Sequence, residues 1–435
     1  MARVVILPVP ATGHVTPTLP LAQALLARGE EVSYCLPDQF MTEIAASGAL
    51  YLPFRSSGRG FAWRAVSCEE LFISMPLHQA VLSLEALPHV LGILRREQPD
   101  YLIYDANCVW GRFAARILHL PAVRFNTSLV LGDHLGPAFQ ALLDQAEQAA
   151  IARTAEGTWP EDDAPVTFRR VVEHLCTSYG LPPFDVRSFF TDTEPLNLAP
   201  IPPAFQPGIA HFDSRFHFVG PSLTPRAEAT DFPLAQVTGQ PTLYISLGSV
   251  CNRETAFIKT CLAAFGETGS APSDSGLSRD GQPEREGPPW RVLLATGAVD
   301  MAQVGPVPDH VVARPSVPQL DVLQQAAVFV THGGMNSVME SLWFGVPMVV
   351  VPQMAEQAMT ARRVEELGLG RTLERAEVTA QSLREAVNQV ATDHAMRARV
   401  RHMQETLRHL GGAQAAADAI IAFTRTEGQK GWSWP

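Results

Sequence analysis

The chain has 435 residues, of which 46% are hydrophobic and 18% are charged, and its formal net charge is −11. At roughly 100–200 residues per domain, this length suggests two or three domains. Proteins that bind the nucleic-acid backbone usually carry a basic patch, and no Lys/Arg cluster stands out here, so nucleic-acid binding is not expected.

The first 20 residues are apolar, but Pro8 and Pro10 interrupt them and no small-residue cleavage site follows. They are therefore interpreted as a first core strand rather than a signal peptide. No stretch reaches about 18 continuous apolar residues, so no membrane span is expected. The six cysteines are scattered and form no Cys-x-x-Cys pair. Reduced thiols in a cytoplasmic enzyme are the simplest interpretation.

Short apolar runs alternate with helical patterns along the whole chain. Four runs in the first half predict strands, namely RVVILPV, EVSYCL, YLIYD and AVRFN. Apolar residues at helical spacing, as in TLPLAQALLARG and WGRFAARILHL, predict helices between them. Six runs in the second half also predict strands, namely TLYISLG, RVLLATG, HVVAR, VFVTHGG, PMVVVPQ and GRTL. Because such runs suit strands buried on both faces, we predict an α/β protein with two doubly wound, Rossmann-like domains.

Composition marks the domain boundaries. We predict an N-terminal domain of residues 1–221, a linker of residues 222–240 rich in proline, glycine and charge, and a C-terminal domain of residues 241–408. Residues 270–288 have almost no apolar side chains and are predicted to be a flexible insert. Residues 409–435 begin with a Gly-Gly break and are predicted to form a C-terminal helix and tail.

Polar residues follow three predicted strands of the second half. They are Ser246 to Ser249, Thr331 to Gly334, and Pro352 to Gln357. Ligands of open α/β sheets bind outside the carboxyl ends of the strands, so these three segments are expected to line one site.

The middle segment has the composition of a phosphate site. Gly333 and Gly334 allow a tight turn and a close backbone approach to a ligand. Asn336 and Ser337 then fall in the first turn of a helix, whose N-terminus suits a phosphate. His332 can donate to the same phosphate.

Carboxylates and an amide follow at positions suited to a sugar. Glu340 lies one helical turn further on and can accept from two adjacent hydroxyls, and Glu356 with Gln357 offers a second such pair. Each residue also has a plainer explanation: Asn336 or Ser337 as an N-cap, and a histidine after a strand as a turn residue. The ordered set favours a ligand, because capping alone does not require the later carboxylates.

Two residues of the first half could form a general base and the carboxylate that orients it. His14 follows the first strand and could serve as a general base near neutral pH, although a helix-entry role is the plainer alternative. Asp105 ends the strand YLIYD and could fix the tautomer of His14, or could simply cap a helix. The first loop lacks the G-x-G-x-x-G fingerprint, so a dinucleotide site is not supported.

Residues 314–370, RPSVPQLDVLQQAAVFVTHGGMNSVMESLWFGVPMVVVPQMAEQAMTARRVEELGLG, resemble the nucleotide-sugar signature of UDP-sugar glycosyltransferases. The resemblance is nearest to the bacterial macrolide glycosyltransferase group and extends through PATGHVTPTLPLAQALLARG and LYISLGSVCN. It implies the GT-B fold, in which two Rossmann-like domains face each other across a cleft. In that family the first domain binds the acceptor, the second binds the donor, and a C-terminal helix returns to the first domain, as GGAQAAADAIIAF would.

The resemblance implies a role for each residue of the donor site. His332 and the amides near Gly334 and Ser337 would hold the diphosphate, with support from Asn336 and Ser249. Glu340 would hold the ribose hydroxyls, and Glu356 and Gln357 the donor sugar. Val317 and Gln319 fall where the family holds the base. Many relatives have an aromatic residue stacked on uracil where this chain has Ser316, so either the stack is absent or Arg314 supplies it.

The resemblance also implies the reaction. His14 would be the catalytic base and Asp105 its partner, in a direct displacement at the anomeric carbon with inversion. No Asp-x-Asp motif follows a strand and no His/Cys cluster has metal-ligand spacing. We therefore expect no metal and no cofactor besides the co-substrate UDP-sugar, UDP-glucose in the simplest case. Helix dipole and histidine would replace the positive charge of a metal. The protein is expected to be a monomer or weak dimer.

The acceptor pocket is predicted from residues 55–90 and 128–190, whose aromatic and apolar segments suit a hydrophobic flavonoid, phenol or macrolide. Ordinary packing of variable helices explains these segments equally well. Two other functions remain open: a nucleotide-sugar epimerase or hydrolase of the same fold, and a non-catalytic nucleotide-sugar-binding accessory protein.

Overall fold

The computed structural model describes residues 1–54, 67–158, 164–223, 232, 241–248, 250, 253–266 and 290–427. The chain divides into two compact units, one of Met1–Thr224 with Leu410–Pro435 and one of Pro225–His409. Ser249, most of the predicted linker 222–240 and the predicted insert 270–288 lie outside the described residues.

The first unit contains both long and very short elements. In chain order they are β1 (Arg3–Leu7), α1 (Thr12–Val15), α2 (Leu19–Leu26), β2 (Glu31–Leu36), α3 (Met41–Ser47), β3 (Leu50–Pro53), α4 (Cys68–Leu71), α5 (Met75–Glu97), β4 (Tyr101–Asp105), α6 (Val109–Leu118), β5 (Ala122–Phe125), α7 (Pro137–Ala152), β6 (Ala155–Thr158), β7 (Pro165–Val166), α8 (Phe168–Tyr179), α9 (Val186–Thr191), β8 (Leu196–Ala199) and β9 (Phe216–Phe218).

The second unit alternates strands and helices more regularly. Its elements are β10 (Thr242–Ser246), α10 (Thr255–Phe265), β11 (Arg291–Ala295), β12 (Val311–Arg314), α11 (Gln319–Leu323), β13 (Ala326–Thr331), α12 (Met335–Phe344), β14 (Met348–Val350), α13 (Ala355–Glu366), β15 (Gly370–Thr372), α14 (Ala380–Thr392) and α15 (His394–His409). The chain then forms α16 (Gly412–Glu427), which belongs to the first unit.

A parallel sheet forms the centre of the first unit. Among the described residues its seven strands have the order β3-β2-β1-β4-β5-β8-β9. Every residue of β4, β5 and β8 is buried, as expected for strands covered on both faces. The chain builds the sheet outward in one direction from β1 and in the other from β4. The topological switch point therefore lies between β1 and β4, the place where such sheets bind ligands.

The second unit repeats this plan. Its described residues form a six-stranded parallel sheet of order β12-β11-β10-β13-β14-β15, with the switch point between β10 and β13. Val328, Phe329 and Val330 in β13 are fully buried. Both sheets confirm the predicted pair of doubly wound α/β domains.

The C-terminal helix α16 packs within the first unit, as predicted. Ala417 and Ile420 are fully buried in the same apolar cluster as Leu21 and Leu25 of α2. At the edge of this contact, Arg28 Nε donates to Asp418 Oδ1 over 2.8 Å and Arg28 Nη1 donates to Gln414 Oε1 over 2.6 Å. The helix therefore covers one face of the sheet alongside α2.

All ten predicted strands are present, but the prediction was incomplete elsewhere. Strands β3, β8 and β9 and the antiparallel pair β6–β7 were not predicted. The segment around His14, interpreted as a loop, forms the single-turn helix α1, in which the N–H groups of His14 and Val15 both donate to Ala11 O.

By length and composition α5 could cross a membrane, which the continuous-run criterion did not detect, but 61% of its most apolar window is buried inside the protein. This burial fits a core helix.

Cys35, Cys108, Cys176 and Cys261 are free thiols, whereas Cys68 is disulfide-bonded, so the prediction of six reduced cysteines is wrong for Cys68.

Candidate active site

His14 and Asp105 meet at the switch point of the first sheet. His14 lies in α1, directly after β1, and Asp105 is the last residue of the neighbouring strand β4. His14 Nδ1 lies 2.7 Å from Asp105 Oδ2, and the two side chains are 23% and 0% exposed. A fully buried carboxylate thus holds an imidazole that remains partly accessible to solvent.

The two carboxylate oxygens of Asp105 have different partners. Its Oδ1 accepts a hydrogen bond from the Asn107 N–H over 2.8 Å, which fixes the turn that follows β4. The N-cap of α6 is Cys108, so Asp105 does not cap that helix. One carboxylate oxygen therefore fixes the turn, and the other is available to His14.

Such a pair has the chemistry needed for a base and a carboxylate that orients it. A carboxylate only accepts hydrogen bonds, so His14 Nδ1 carries the hydrogen and Nε2 is the basic nitrogen of the neutral ring. Proton uptake at Nε2 creates an imidazolium that the Asp105 carboxylate stabilises.

In the second unit the three polar segments lie side by side. The last residues of β10, β13 and β14 are in register, with Ser246 beside Thr331 and Thr331 beside Val350. The segments that follow these strands therefore begin at one edge of the sheet. Ser249, predicted to support the diphosphate, lies outside the described residues.

His332 follows β13 and is enclosed by backbone. A Cβ atom added to Gly248 would lie 2.5 Å from His332 Cε1, and one added to Gly334 would collide with His332 Nε2. Two glycines are thus required beside this ring. Burial lowers the pKa of His332 to about 4, although the residue keeps some exposure to solvent. No carboxylate of a described residue pairs with it, so the ring is neutral near pH 7.

The glycine turn leads directly into α12. Gly334 is the N-cap of this helix and has no side chain with which to cap it, while Asn336 and Ser337 lie in the first turn. Neither residue is therefore the N-cap, which removes the plainer explanation of both. The backbone of Gly333 has a φ of +83°, a conformation that glycine adopts readily.

Glu340 is held by a chain of hydrogen bonds. Tyr244 Oη donates to Gln319 Oε1 over 3.1 Å, and Gln319 Nε2 donates to Glu340 Oε2 over 2.6 Å. Gln319 Nε2 also lies 3.3 Å from Ser337 Oγ. Glu340 is only 2% exposed. Gln319 was predicted to lie at the nucleobase of the donor. Its side-chain amide is instead hydrogen-bonded to Glu340, the carboxylate predicted to bind ribose.

The other residues predicted to contact the nucleobase of the donor differ in burial. Val317 is buried, whereas Ser316 and Arg314 are exposed. Arg314 Nη1 donates to the carbonyl of Ala313 over 2.9 Å, so its guanidinium is bonded to the adjacent backbone.

Gln357 supports the turn after β14. Its Oε1 accepts a hydrogen bond from the Gln353 N–H over 2.8 Å, and its Cβ lies near Gly333. Glu356 is half-buried in the first turn of α13, and its carbonyl accepts from Thr360 Oγ1. Among the described residues, no group of three or more His, Cys, Asp or Glu side chains is placed to hold a metal ion.

Comparison with known proteins decides the family. Residues 291–415 match the family model of the erythromycin biosynthesis protein CIII-like C-terminal domain. The chain is 34% identical to the NDP-glycosyltransferase YjiC of Bacillus licheniformis over 98% of this chain and 99% of that protein. It is 30% identical to the demethyllactenocin mycarosyltransferase of Streptomyces fradiae, over 97% and 86% of the two chains. The crystal structure of the calicheamicin glycosyltransferase CalG4 superposes with a TM-score of 0.73 at 30% identity, covering 99% of both chains.

The chain belongs to the NDP-glycosyltransferases of the macrolide glycosyltransferase-like group. Its two α/β units have the GT-B fold.

For a glycosyltransferase of this type, sequence reasoning missed three polar residues near the two sites. Thr127 contacts His14, Tyr244 contacts Gln319, and Gln353 contacts Gln357. Thr127 follows the predicted strand AVRFN, so the strand-end rule used for the other residues could have found it. Tyr244 lies inside a strand, where an aromatic residue carries no such signal.

The predicted acceptor-binding segments are packed where they are described. Phe72 stacks on Phe190 with ring centroids 5.5 Å apart, and Phe189 meets Phe190 edge-on at 4.9 Å. Phe113 meets Phe184 edge-on at 5.6 Å. These rings are buried, which favours the packing alternative for them. Residues 55–66 and 159–163 of the predicted lining lie outside the described residues.

Proposed function

We propose that this glycosyltransferase moves a hexose, glucose in the simplest case, from a UDP-sugar to a hydroxyl group of a small hydrophobic acceptor such as a flavonoid, phenol or macrolide. The observation that carries the proposal is the 2.7 Å hydrogen bond between His14 Nδ1 and Asp105 Oδ2 at a sheet switch point. The names of the mycarosyltransferase and calicheamicin glycosyltransferase relatives support natural-product acceptors.

The proposed step is a direct displacement with inversion. His14 Nε2 takes the proton of the acceptor hydroxyl as its oxygen bonds to the anomeric carbon of the donor sugar. The bond between that carbon and the diphosphate oxygen breaks, and the nucleoside diphosphate leaves with the bonding electrons. Asp105 stabilises the imidazolium formed at His14.

The second unit is proposed to bind the donor. The neutral His332 and the backbone amides at the start of α12, near Gly334 and Ser337, would donate to the diphosphate. Glu340, fixed by Gln319, would accept from the ribose hydroxyls. Glu356 and Gln357 would bind the hexose. Val317 and the backbone near it would contact the nucleobase of the donor.

Three further properties belong to the same proposal. No metal ion or cofactor is required, because hydrogen-bond donors at the helix start take over charge stabilisation. The enzyme works in the cytoplasm as a monomer or weak dimer. UDP is preferred to dTDP, for which the family resemblance of residues 314–370 is the support.

Product analysis by mass spectrometry tests the proposal. The protein is incubated with UDP-glucose, UDP-galactose, UDP-N-acetylglucosamine or dTDP-glucose and a panel of phenols, flavonoids and macrolides, with and without EDTA. We expect a hexosylated acceptor from UDP-glucose in both conditions. Turnover with dTDP-glucose alone would refute the proposed preference for uracil as the nucleobase of the donor. Loss of turnover in EDTA would refute metal independence.

The same assay separates the alternative functions. Release of free sugar without acceptor product would identify a hydrolase, and a changed donor sugar would identify an epimerase. Binding of UDP with no reaction across the whole panel would favour an accessory protein.

A further inference from the structure

Thr127 lies beside the His14–Asp105 pair. It follows β5 by two residues and is 8% exposed. Its Oγ1 is 3.2 Å from His14 Nδ1, the same nitrogen that lies 2.7 Å from Asp105 Oδ2. One ring nitrogen therefore has two oxygen neighbours.

The 2.7 Å contact of His14 Nδ1 with Asp105 determines which atom donates in its 3.2 Å contact with Thr127. The Asp105 carboxylate only accepts hydrogen bonds, so Nδ1 carries the hydrogen. A protonated Nδ1 cannot accept from the Thr127 hydroxyl. Thr127 Oγ1 must then accept the weaker branch of a bifurcated hydrogen bond, and its own hydrogen points elsewhere.

The backbone on both sides of Thr127 is fixed by side-chain amides. On one side, the N–H and Nδ2 of Asn126 both donate to Leu198 O, over 2.8 and 3.1 Å. On the other, Gln206 Oε1 accepts from the Val130 N–H over 2.9 Å, and Gln206 Nε2 donates to Val130 O over 3.1 Å. Both amide side chains are buried. The short segment carrying Thr127 thus has little freedom to move.

We propose that Thr127 is a positioning residue for the catalytic base. Its hydroxyl oxygen holds the His14 ring in the plane that directs Nε2 toward the acceptor hydroxyl, and it stabilises the ring more strongly once the ring is protonated. The inference rests on the proposed function, in which His14 is the base.

The charged surroundings of His14 allow this effect to be isolated. Asp105 is the charged group that bonds to His14, and Arg124 interacts electrostatically with Asp105. Burial and Asp105 raise the pKa of the nearby Cys108 thiol, which is therefore uncharged. Thr127 is uncharged. Replacing it by Val keeps the β-branched shape and leaves every charge in place, whereas replacing it by Ser keeps the hydroxyl.

The test is the pH dependence of kcat/KM for the wild type, Thr127→Val and Thr127→Ser, with a series of phenols of increasing acidity. A net intramolecular hydrogen bond contributes enough free energy for an effect of about two- to ten-fold. We expect Thr127→Val to lower kcat/KM by that factor with a weakly acidic acceptor. The acidic limb should move to lower pH, because the protonated ring has lost a partner. Thr127→Ser should restore most of the activity.

A dependence on acceptor acidity distinguishes positioning from damage to the fold. Acidic phenols need less help from a base, so the Thr127→Val defect should shrink along the series while UDP affinity stays unchanged. A defect of equal size for every phenol, or an unmoved acidic limb, would overturn the inference while leaving the proposed function intact. Absence of transfer by the wild-type protein would instead refute the proposed function.

Discussion

Each unit places a histidine beside the switch point of its sheet, but the two histidines have opposite environments. His14 follows β1 and His332 follows β13, each beside the switch point of its sheet. His14 is partly accessible and bonded to a buried carboxylate at 2.7 Å. His332 is enclosed by Gly248 and Gly334, and burial lowers its pKa to about 4. The same residue type thus has different chemistry in the two units.

The difference shows which histidine can take up a proton. The carboxylate beside His14 stabilises an imidazolium, which a general base must form. The enclosure of His332 disfavours that charge, so His332 can donate one N–H but supplies no net positive charge in the unliganded protein. Of the groups proposed to replace the positive charge of a metal, His332 would thus contribute as a neutral N–H donor. Hydrogen-bond donors at the start of α12 remain for that purpose.

The largest expected effect is on His14. His14→Ala should lower kcat by about 10²–10⁴-fold with an alcohol acceptor, because the proposed general base is lost. UDP affinity, measured by calorimetry, should stay near the wild-type value. Near wild-type turnover with an alcohol would contradict the assignment of the base.

Asp105→Asn is the matched partner of this experiment. The amide keeps the size of the carboxylate but removes the charge that stabilises the imidazolium. We expect kcat to fall with little change in UDP affinity. If Asp105→Asn weakened UDP binding as much as turnover, the carboxylate would have a structural role rather than one in proton transfer.

The second effect concerns His332 as a neutral donor. His332→Ala should weaken UDP binding by about ten- to a hundred-fold, since a hydrogen bond to a charged group contributes roughly 1.5–3 kcal/mol. Calorimetry with UDP measures this. The control is Gln357→Glu, which keeps an acceptor oxygen for the Gln353 N–H but alters the proposed hexose contact. It should lower turnover and leave UDP affinity unchanged, and an equal loss of UDP affinity would contradict the proposed path of the donor.

The third effect follows from the lowered pKa of His332. Its pKa is about 4 in the folded protein against 6.5 for an ordinary histidine, so the unfolded chain binds more protons between these values. The stabilisation is present above pH 6.5 and is lost as the pH falls toward 4. His332→Asn should remove about 1–2 kcal/mol of this dependence, a discounted figure because the ring is partly accessible. Apparent Tm values of both proteins from pH 7 to 4.5 test this, and parallel curves would contradict the enclosure of the ring.

Much of the fold was predictable because fully buried parallel strands have distinctive sequences. Runs such as YLIYD and TLYIS are apolar at almost every position and correspond to β4 and β10. Strand β9 was missed because its three residues, Phe216 to Phe218, are only half-buried. Strand β3 was missed for a similar reason, since Leu50 and Pro53 are exposed. Edge strands of this kind lack the nearly continuous apolar run that is typical of strands buried on both faces.

The candidate site was predictable at the level of strand ends but not of side-chain partners. The topology rule brought His14 to Asp105, 91 positions away in sequence. The glycine turn predicted after β13 places His332 just before α12. The side-chain amides of Gln319 and Gln357 could not be assigned this way, because what they bond to depends on packing. Gln319 bonds to Glu340, and Gln357 to the backbone of Gln353.

The smallest expected effect concerns Tyr244, whose hydroxyl contacts a proposed site residue of the second unit as that of Thr127 does in the first. Its ring stacks on Phe329 at 4.7 Å with an interplanar angle of 6°, and its hydroxyl donates to Gln319 Oε1. Tyr244→Phe keeps the stack and removes only the hydroxyl, so Gln319 and therefore Glu340 lose part of their orientation. We expect UDP affinity to fall by about two- to ten-fold, the range of one net hydrogen bond, with kcat nearly unchanged at saturating donor. A deoxyribose donor should lose less, because Glu340 then has fewer hydroxyls to accept from. An equal loss for ribose and deoxyribose donors would show that Tyr244 supports the sheet rather than the carboxylate.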